Sequence, residues 1–239
     1  MNYRLLIAFF AALNTVSAQQ YFQQEVNYTI KVSLDDAHHI LRGYETFEYV
    51  NNSPDELDFL YIHLWPNAYK NGKTALAKQL KASGDEILIS APDSITGYID
   101  SLDFSVDGKS LAWNYHTEHI DIAKLMLKEP LGPGERISVS TPFRVKLPSG
   151  QVSRLGHVGE SYQITQWYPK PAVYDENGWH EMPYLNQGEF YSEYGSFDVS
   201  ITLPANYVVG ATGDLQTQSE IDFLTEKVKA TEEKIAKLD

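Results

Sequence analysis

His180-Glu181, in the run HEMPY, is where the chain comes nearest to a metal-hydrolase motif. A catalytic zinc of that kind needs H-E-x-x-H on a helix. Two imidazoles one turn apart then meet one ion, and the Glu between them serves as base. Here Tyr184 occupies the second histidine position, and Pro183 stands inside the turn that would have to stay helical. The motif fails on both ligand and backbone, and no metal is assigned to these residues. His116 and His119 lie three apart, a spacing that sends strand side chains to opposite faces. His38 and His39 are adjacent, and adjacent side chains diverge. All four are expected at the surface.

Nucleophilic chemistry has no better foothold. The chain has no cysteine, and Ser161 in GESYQ lacks the flanking glycines of a nucleophile elbow. Neither GPGE nor SGQVSRLG is followed by the Lys-Ser/Thr pair of a phosphate loop. With 32 Asp and Glu residues, neighbours such as Asp35-Asp36 and Asp55-Glu56 carry no information. Glycoside hydrolysis would need two carboxylates facing each other about 5 to 9 Å apart, a relation that only tertiary structure creates. No catalytic residue and no cofactor are expected from this chain's own residues.

The elements available to position side chains are mostly strands. In VNYTIKVSL, Val26, Tyr28, Ile30, Val32 and Leu34 alternate with polar residues, so one face is core and one is water. YETFEYV returns after the DDAHH turn and stops at NNSPDE; LDFLYIHLW follows with more continuous burial. SLDFSVDGKSLAW predicts a hairpin about Asp107-Gly108. HIDIAKLMLKEPL and RISVSTPFRVKL are two further strands split by GPGE. SFDVSITLP sets Phe197, Val199, Ile201 and Leu203 against Asp198, Ser200 and Thr202, again one buried face. KTALAKQLKA predicts two or three helical turns. The tail predicts a longer helix: Thr217 and Glu220 have capping-box spacing, and Ile221, Leu224, Val228, Ile235 and Leu238 recur at helical intervals. The expected class is mainly β, an antiparallel β-sandwich or twisted saddle-shaped sheet with a C-terminal helix.

Bulk properties narrow the setting. A net charge of −13 argues against nucleic acid, which needs a basic face. MNYR, then LLIAFFAAL, then NTVSA has the three-part pattern of a secretory signal, with cleavage expected near Ala18. Its nine apolar residues are too few to span a bilayer, and no other segment is apolar enough to do so. Export, to the periplasm or the extracellular space, is expected. A cysteine-free exported chain cannot be disulfide-stapled, which fits a bacterial protein.

ITQWYPKPAVYDENGWH, followed by GEFYSEYGSFDVSITLPANYVVGATGDLQ, resembles the N-terminal β domain of the aminopeptidase N-like zinc metallopeptidases (the gluzincin, membrane alanyl aminopeptidase family) of the exported bacterial type. The signature is Thr165-Gln166, Pro169 or Pro171, and Asp175; VNYTIKVSLDDAHHILRGYETFEYVNNS is similar to the family's opening hairpin. The resemblance covers nearly all of the mature chain and is most specific from Gln163 to Gly213. It implies a signal peptide over 1–18, a β domain over 19–216, and a helical segment over 217–239 leading towards a catalytic domain that these residues do not contain. Zinc, H-E-x-x-H and the exopeptidase Gly-x-Met-Glu-Asn motif belong to that domain. The implied activity of the whole protein is removal of N-terminal residues from peptides, with this chain inactive alone. The implied substrate-binding residues are Gln166, whose counterparts line the substrate pocket, and Tyr168. Tyr168 stands where relatives place Glu or Gln against the substrate's free amine, and its hydroxyl brings no charge. The alternatives are a secreted β-sandwich binding module, whose aromatics would form an exposed platform for sugar or protein, and a stand-alone hydrolase built on two close carboxylates. The β-domain reading expects those rings buried, or facing a partner at one edge.

Overall fold

Alternation builds the first sheet. In β1 (Glu25–Asp35), Val26, Tyr28, Ile30 and Val32 are buried and alternate with more exposed neighbours, as a period of two requires. The computed structural model describes residues 21–238, so the expected signal segment, 1–18, lies outside the described residues. β2 (Ile40–Val50) returns antiparallel to β1 and pairs along its whole length with β9 (below). β3 (Leu57–His63) leads into a 3-10 turn, Trp65–Tyr69, and a short helix α1 (Ala75–Ala82), capped by Thr74 Oγ1 accepting from the Ala77 N–H. β4 (Tyr98–Asp100) precedes the hairpin β5 (Ser105–Val106) and β6 (Lys109–Ser110). Between them Asp107 and Gly108 take φ of 50° and 70°, the doubly left-handed turn that this residue pair favours. β7 (Trp113–Tyr115), β8 (Ile122–Leu131) and β9 (Arg136–Lys146) follow.

The remaining strands are short. β10 (Gly156–Val158) and β11 (Ser161–Gln163) form one hairpin; β12 (Lys170–Pro171) adds to the edge of β3; β13 (Val173–Asp175) and β14 (Gly178–His180) form another hairpin around the DENG turn. β15 (Phe197–Thr202) closes the strand series, and α2 (Gln218–Ile235) is the long helix. One sheet runs β15-β1-β2-β9-β5-β6, with β4 also on β9; the other runs β12-β3-β8-β7. The inner faces share one hydrophobic cluster, with Tyr28, Ile30, Phe47, Val139 and Phe143 from the first sheet and Leu60, Ile62 and Leu125 from the second. The chain is mainly β with a C-terminal helix, as expected.

Two features depart from the sequence pattern. β15 pairs parallel to β1, not antiparallel, and all six of its residues are exposed. Its register sets Val199 beside Ile30 and Ile201 beside Val32, so it continues the core face, but as an edge strand it is not covered by the second sheet. The chain divides into two compact units, Met1–Leu203 and Pro204–Asp239. Among the described residues, no helix is long and apolar enough to cross a membrane.

Candidate functional site

The loop that joins β11 to β12 is held in an unusual shape. Gln166 has φ of 53°, in the left-handed region that a non-glycine residue enters at a cost. Its side-chain oxygen accepts a hydrogen bond of 2.6 Å from Lys170 Nζ, which also donates to Ser192 Oγ at 2.9 Å. The same ammonium lies 3.9 Å above the centre of the Trp65 ring. Lys170 is only 5% exposed, and that burial pulls its pKa down to about 7. Pairing of β12 with β3 puts Lys170 opposite His63. His63 is fully buried and stacked on Trp65 at 4.4 Å. Neither of its ring nitrogens makes a well-aligned hydrogen bond, and burial, then the Lys170 charge, drives its pKa down to about 3 against a weaker upward pull from the nearby His180 backbone.

Trp167 and Tyr168 turn the loop's other side towards the core. Trp167 packs near Phe143 at 5.9 Å, and Tyr168 meets Tyr28 edge-on at 5.4 Å and Phe197 at 6.1 Å. Beneath them lies Glu45, fully buried on the inner face of β2, with neither carboxylate oxygen hydrogen-bonded. Burial raises its pKa well above the usual carboxylate value, and burial, followed by the Glu45 charge, raises that of Tyr168.

A small acidic cleft of about 170 Å³ adjoins, lined by Asp175, Glu176, Glu193, Tyr174 and Tyr191 together with residues 21–23. Glu193 Oε1 accepts from the Tyr174 N–H at 3.0 Å, and burial lifts its carboxyl pKa to about 7. His180 Nε2 comes within 2.8 Å of Asp175 Oδ1, without the alignment of a hydrogen bond. Tyr191 donates to the other oxygen of Asp175 at 3.3 Å.

The near-motif at 180–184 is thus structural. The Met182 carbonyl accepts from Trp65 Nε1 at 3.0 Å, and the Tyr184 N–H donates to the buried Asp121 carboxylate at 2.7 Å. The Tyr184 ring, standing where a second histidine would be, is buried near Trp65 and Tyr69. Of the other histidines, His38 is exposed as expected, while His39, His116 and His119 are half-buried. His116 and His119 are not spread across a strand; the turn between β7 and β8 stacks their rings at 5.3 Å. His39 is half-buried, stacks on His157 at 3.5 Å and shares a 2.7 Å hydrogen bond with the Tyr162 hydroxyl. Turns, which pattern reading treats as exposed, fold side chains back on one another.

Of the two expected substrate contacts, Gln166 has its amide oxygen engaged by Lys170 and Tyr168 is half-buried. Pattern reading missed Lys170, Glu45, His63 and Ser192. Glu45 did carry a signal, since it falls on the buried alternation of its strand with Leu41, Phe47 and Tyr49, whereas His63 is out of phase with Leu60 and Ile62 and is buried by the end of its strand entering the core. Ser192 and Lys170 are close enough for a nucleophile–base pair. The amine is also shared with Gln166 and capped by Trp65, an arrangement that braces the loop.

No family model matches the chain, and no curated protein matches it. Among solved structures, it is similar to a two-domain M1 zinc metallopeptidase, a mutant bound to L-arginine, at 13% identity and a TM-score of 0.42. The match covers 82% of this chain and 36% of that one. The M1 zinc metallopeptidase of Deinococcus radiodurans matches at 14% identity and a TM-score of 0.41, over the same shares. The chain thus spans about a third of the length of those structures.

Proposed function

We propose that this chain is the non-catalytic N-terminal β domain of an exported zinc aminopeptidase, with Gln166 and Tyr168 contributing to the wall of the substrate cleft and peptide as the substrate of the whole protein. The observation that carries the reading is the Thr165–Lys170 loop. The residues that bear the family resemblance are those held in a strained, braced conformation, with Gln166 in the left-handed region and its amide fixed by a buried lysine. Such strain is characteristic of functional loops. The uncovered row Phe197, Val199 and Ile201 on β15 offers an apolar face to a neighbouring domain.

The residues present do not fit a zinc centre. His180 is engaged by Asp175, Tyr184 is a core ring, and among the described residues no three His, Asp or Glu side chains converge. In this reading the metal and its chemistry belong to the catalytic domain. A sugar-stacking module would present tryptophan faces to solvent. Here Trp65 is buried, and Trp113, Trp167 and Trp179 pack half-buried against the core.

The test is direct. Purified alone, the chain should bind no stoichiometric zinc and hydrolyse no aminoacyl-arylamide; turnover with bound zinc would overturn the proposal. The codons beyond 239 should encode H-E-x-x-H, and a stop codon there would count heavily against it. In the two-domain protein, Gln166→Ala should raise KM several-fold with little change in kcat.

A further inference from the structure

α2 carries an apolar seam along one face. None of its residues, Gln218–Ile235, is buried. Val228, Ile235 and, just beyond, Leu238 are 59%, 57% and 84% exposed, and they lie along one line of the helix. Their spacing is strict. Ile221, Leu224, Val228, Thr231, Ile235 and Leu238 step by three and four in turn, the a and d positions of consecutive heptads. The a positions are all β-branched, Ile221, Val228 and Ile235; the d positions are Leu224, Thr231 and Leu238. β-Branched a with leucine at d is the choice that favours a parallel two-stranded coiled coil. The one polar d residue is already satisfied, since Thr231 Oγ1 donates to the Lys227 carbonyl at 2.8 Å, leaving its methyl for the seam.

We propose that α2 is a self-association helix that pairs with α2 of a second copy as a parallel, in-register coiled coil. The surface is shaped for it. An open groove on the helix is lined by Leu224, Lys227, Val228, Thr231 and Glu232, a d-g-a-d set of the kind that receives an a-position knob, with the e residue alongside. Charge suits a second copy of the same helix, and the a and d residue types set the parallel direction. Glu220, Lys227 and Lys234 are the g residues and Glu232 is an e residue. In a parallel pair, each Lys227 faces Glu232 of the partner subunit, twice per dimer. Lys227 lies 5.1 Å from the Phe223 ring of its own helix, at the margin of the seam.

Three heptad layers make a short coil, so association should be weak and concentration-dependent. Sedimentation equilibrium of the intact chain should show dimer growing in between roughly 10 μM and 1 mM. Val228→Asp should abolish it over that range. Lys227→Glu should weaken it at low salt, and adding Glu232→Lys should restore it. Because the chain has no cysteine, a single substitution reports geometry: Thr231→Cys should oxidise to a covalent dimer, while Glu226→Cys, on the outer face, should not. A monomer at 1 mM, a dimer indifferent to Val228→Asp, or crosslinking at 226 in preference to 231 would each overturn the proposal.

Discussion

Glu45 and Lys170 are the buried ionisable groups whose energetics are easiest to test. Glu45 has no hydrogen-bond partner for either oxygen, and its folded pKa is raised above the unfolded value of 4.5. The folded state therefore holds that proton longer. Its contribution is complete below about pH 4.5 and is lost as the pH rises from there. Glu45→Leu should be more stable than wild type by roughly 1–3 kcal/mol at pH 8, and by less at pH 4, in urea titrations followed by tryptophan fluorescence. Lys170 behaves oppositely. Its pKa falls from 10.5 unfolded to about 7 folded, so its contribution is complete above 10.5 and is lost as the pH drops towards 7. Between pH 7.5 and 9.5, wild type should gain up to about 1.4 kcal/mol per pH unit relative to Lys170→Met. A difference that stays constant over that range would mean the amine is solvated. Glu45 is legible in hindsight as a charge on a buried alternation. Lys170 is not, because its partners Gln166, Ser192 and Trp65 come together only through folding.

The element with most at stake is β15. Its attachment begins where the chain crosses β1: the Val26 N–H donates to the Tyr194 carbonyl at 2.9 Å, and the Tyr28 N–H to the Ser196 carbonyl at 2.8 Å. Gly195 sits between them, and a Cβ there would fall onto the Val26 carbonyl. Gly195→Ala should therefore detach the strand, costing about 1–3 kcal/mol. Hydrogen exchange would show it: amides of 197–202 should lose protection while those of β2 and β9 keep theirs. The strand itself was plain from its alternation. Its exposure was not, since whether a face is covered depends on how far the opposing sheet extends.

At the scale of the whole molecule, charge dominates. A net −13 on 239 residues opposes compaction, and the pI is about 4.9. Moderate salt should raise the melting temperature at pH 7.5 and have little effect near pH 5, where the net charge vanishes. Acid should act through His63. Its pKa is about 3 when folded against 6.5 when free, so its share of stability is complete above pH 6.5 and is lost as the pH falls towards 3. His63→Leu should lessen the acid sensitivity of unfolding across that window, measured by circular dichroism.

Local chemistry is what the sequence alone decided. Alternation set β1 and β2, Asp107-Gly108 set the hairpin turn, heptad spacing set the seam of α2, and Pro183 with Tyr184 ruled out a zinc helix. Each depends on neighbours within a few residues, where backbone geometry and side-chain period leave little choice. Tertiary structure alone decided what lies against what. It stacked His116 on His119, left β15 uncovered, sealed Glu45 without a partner, and tied Gln166 to a lysine over Trp65. Those relations arise from burial and from contacts between residues as far apart as Trp65 and Lys170, and no local pattern encodes them.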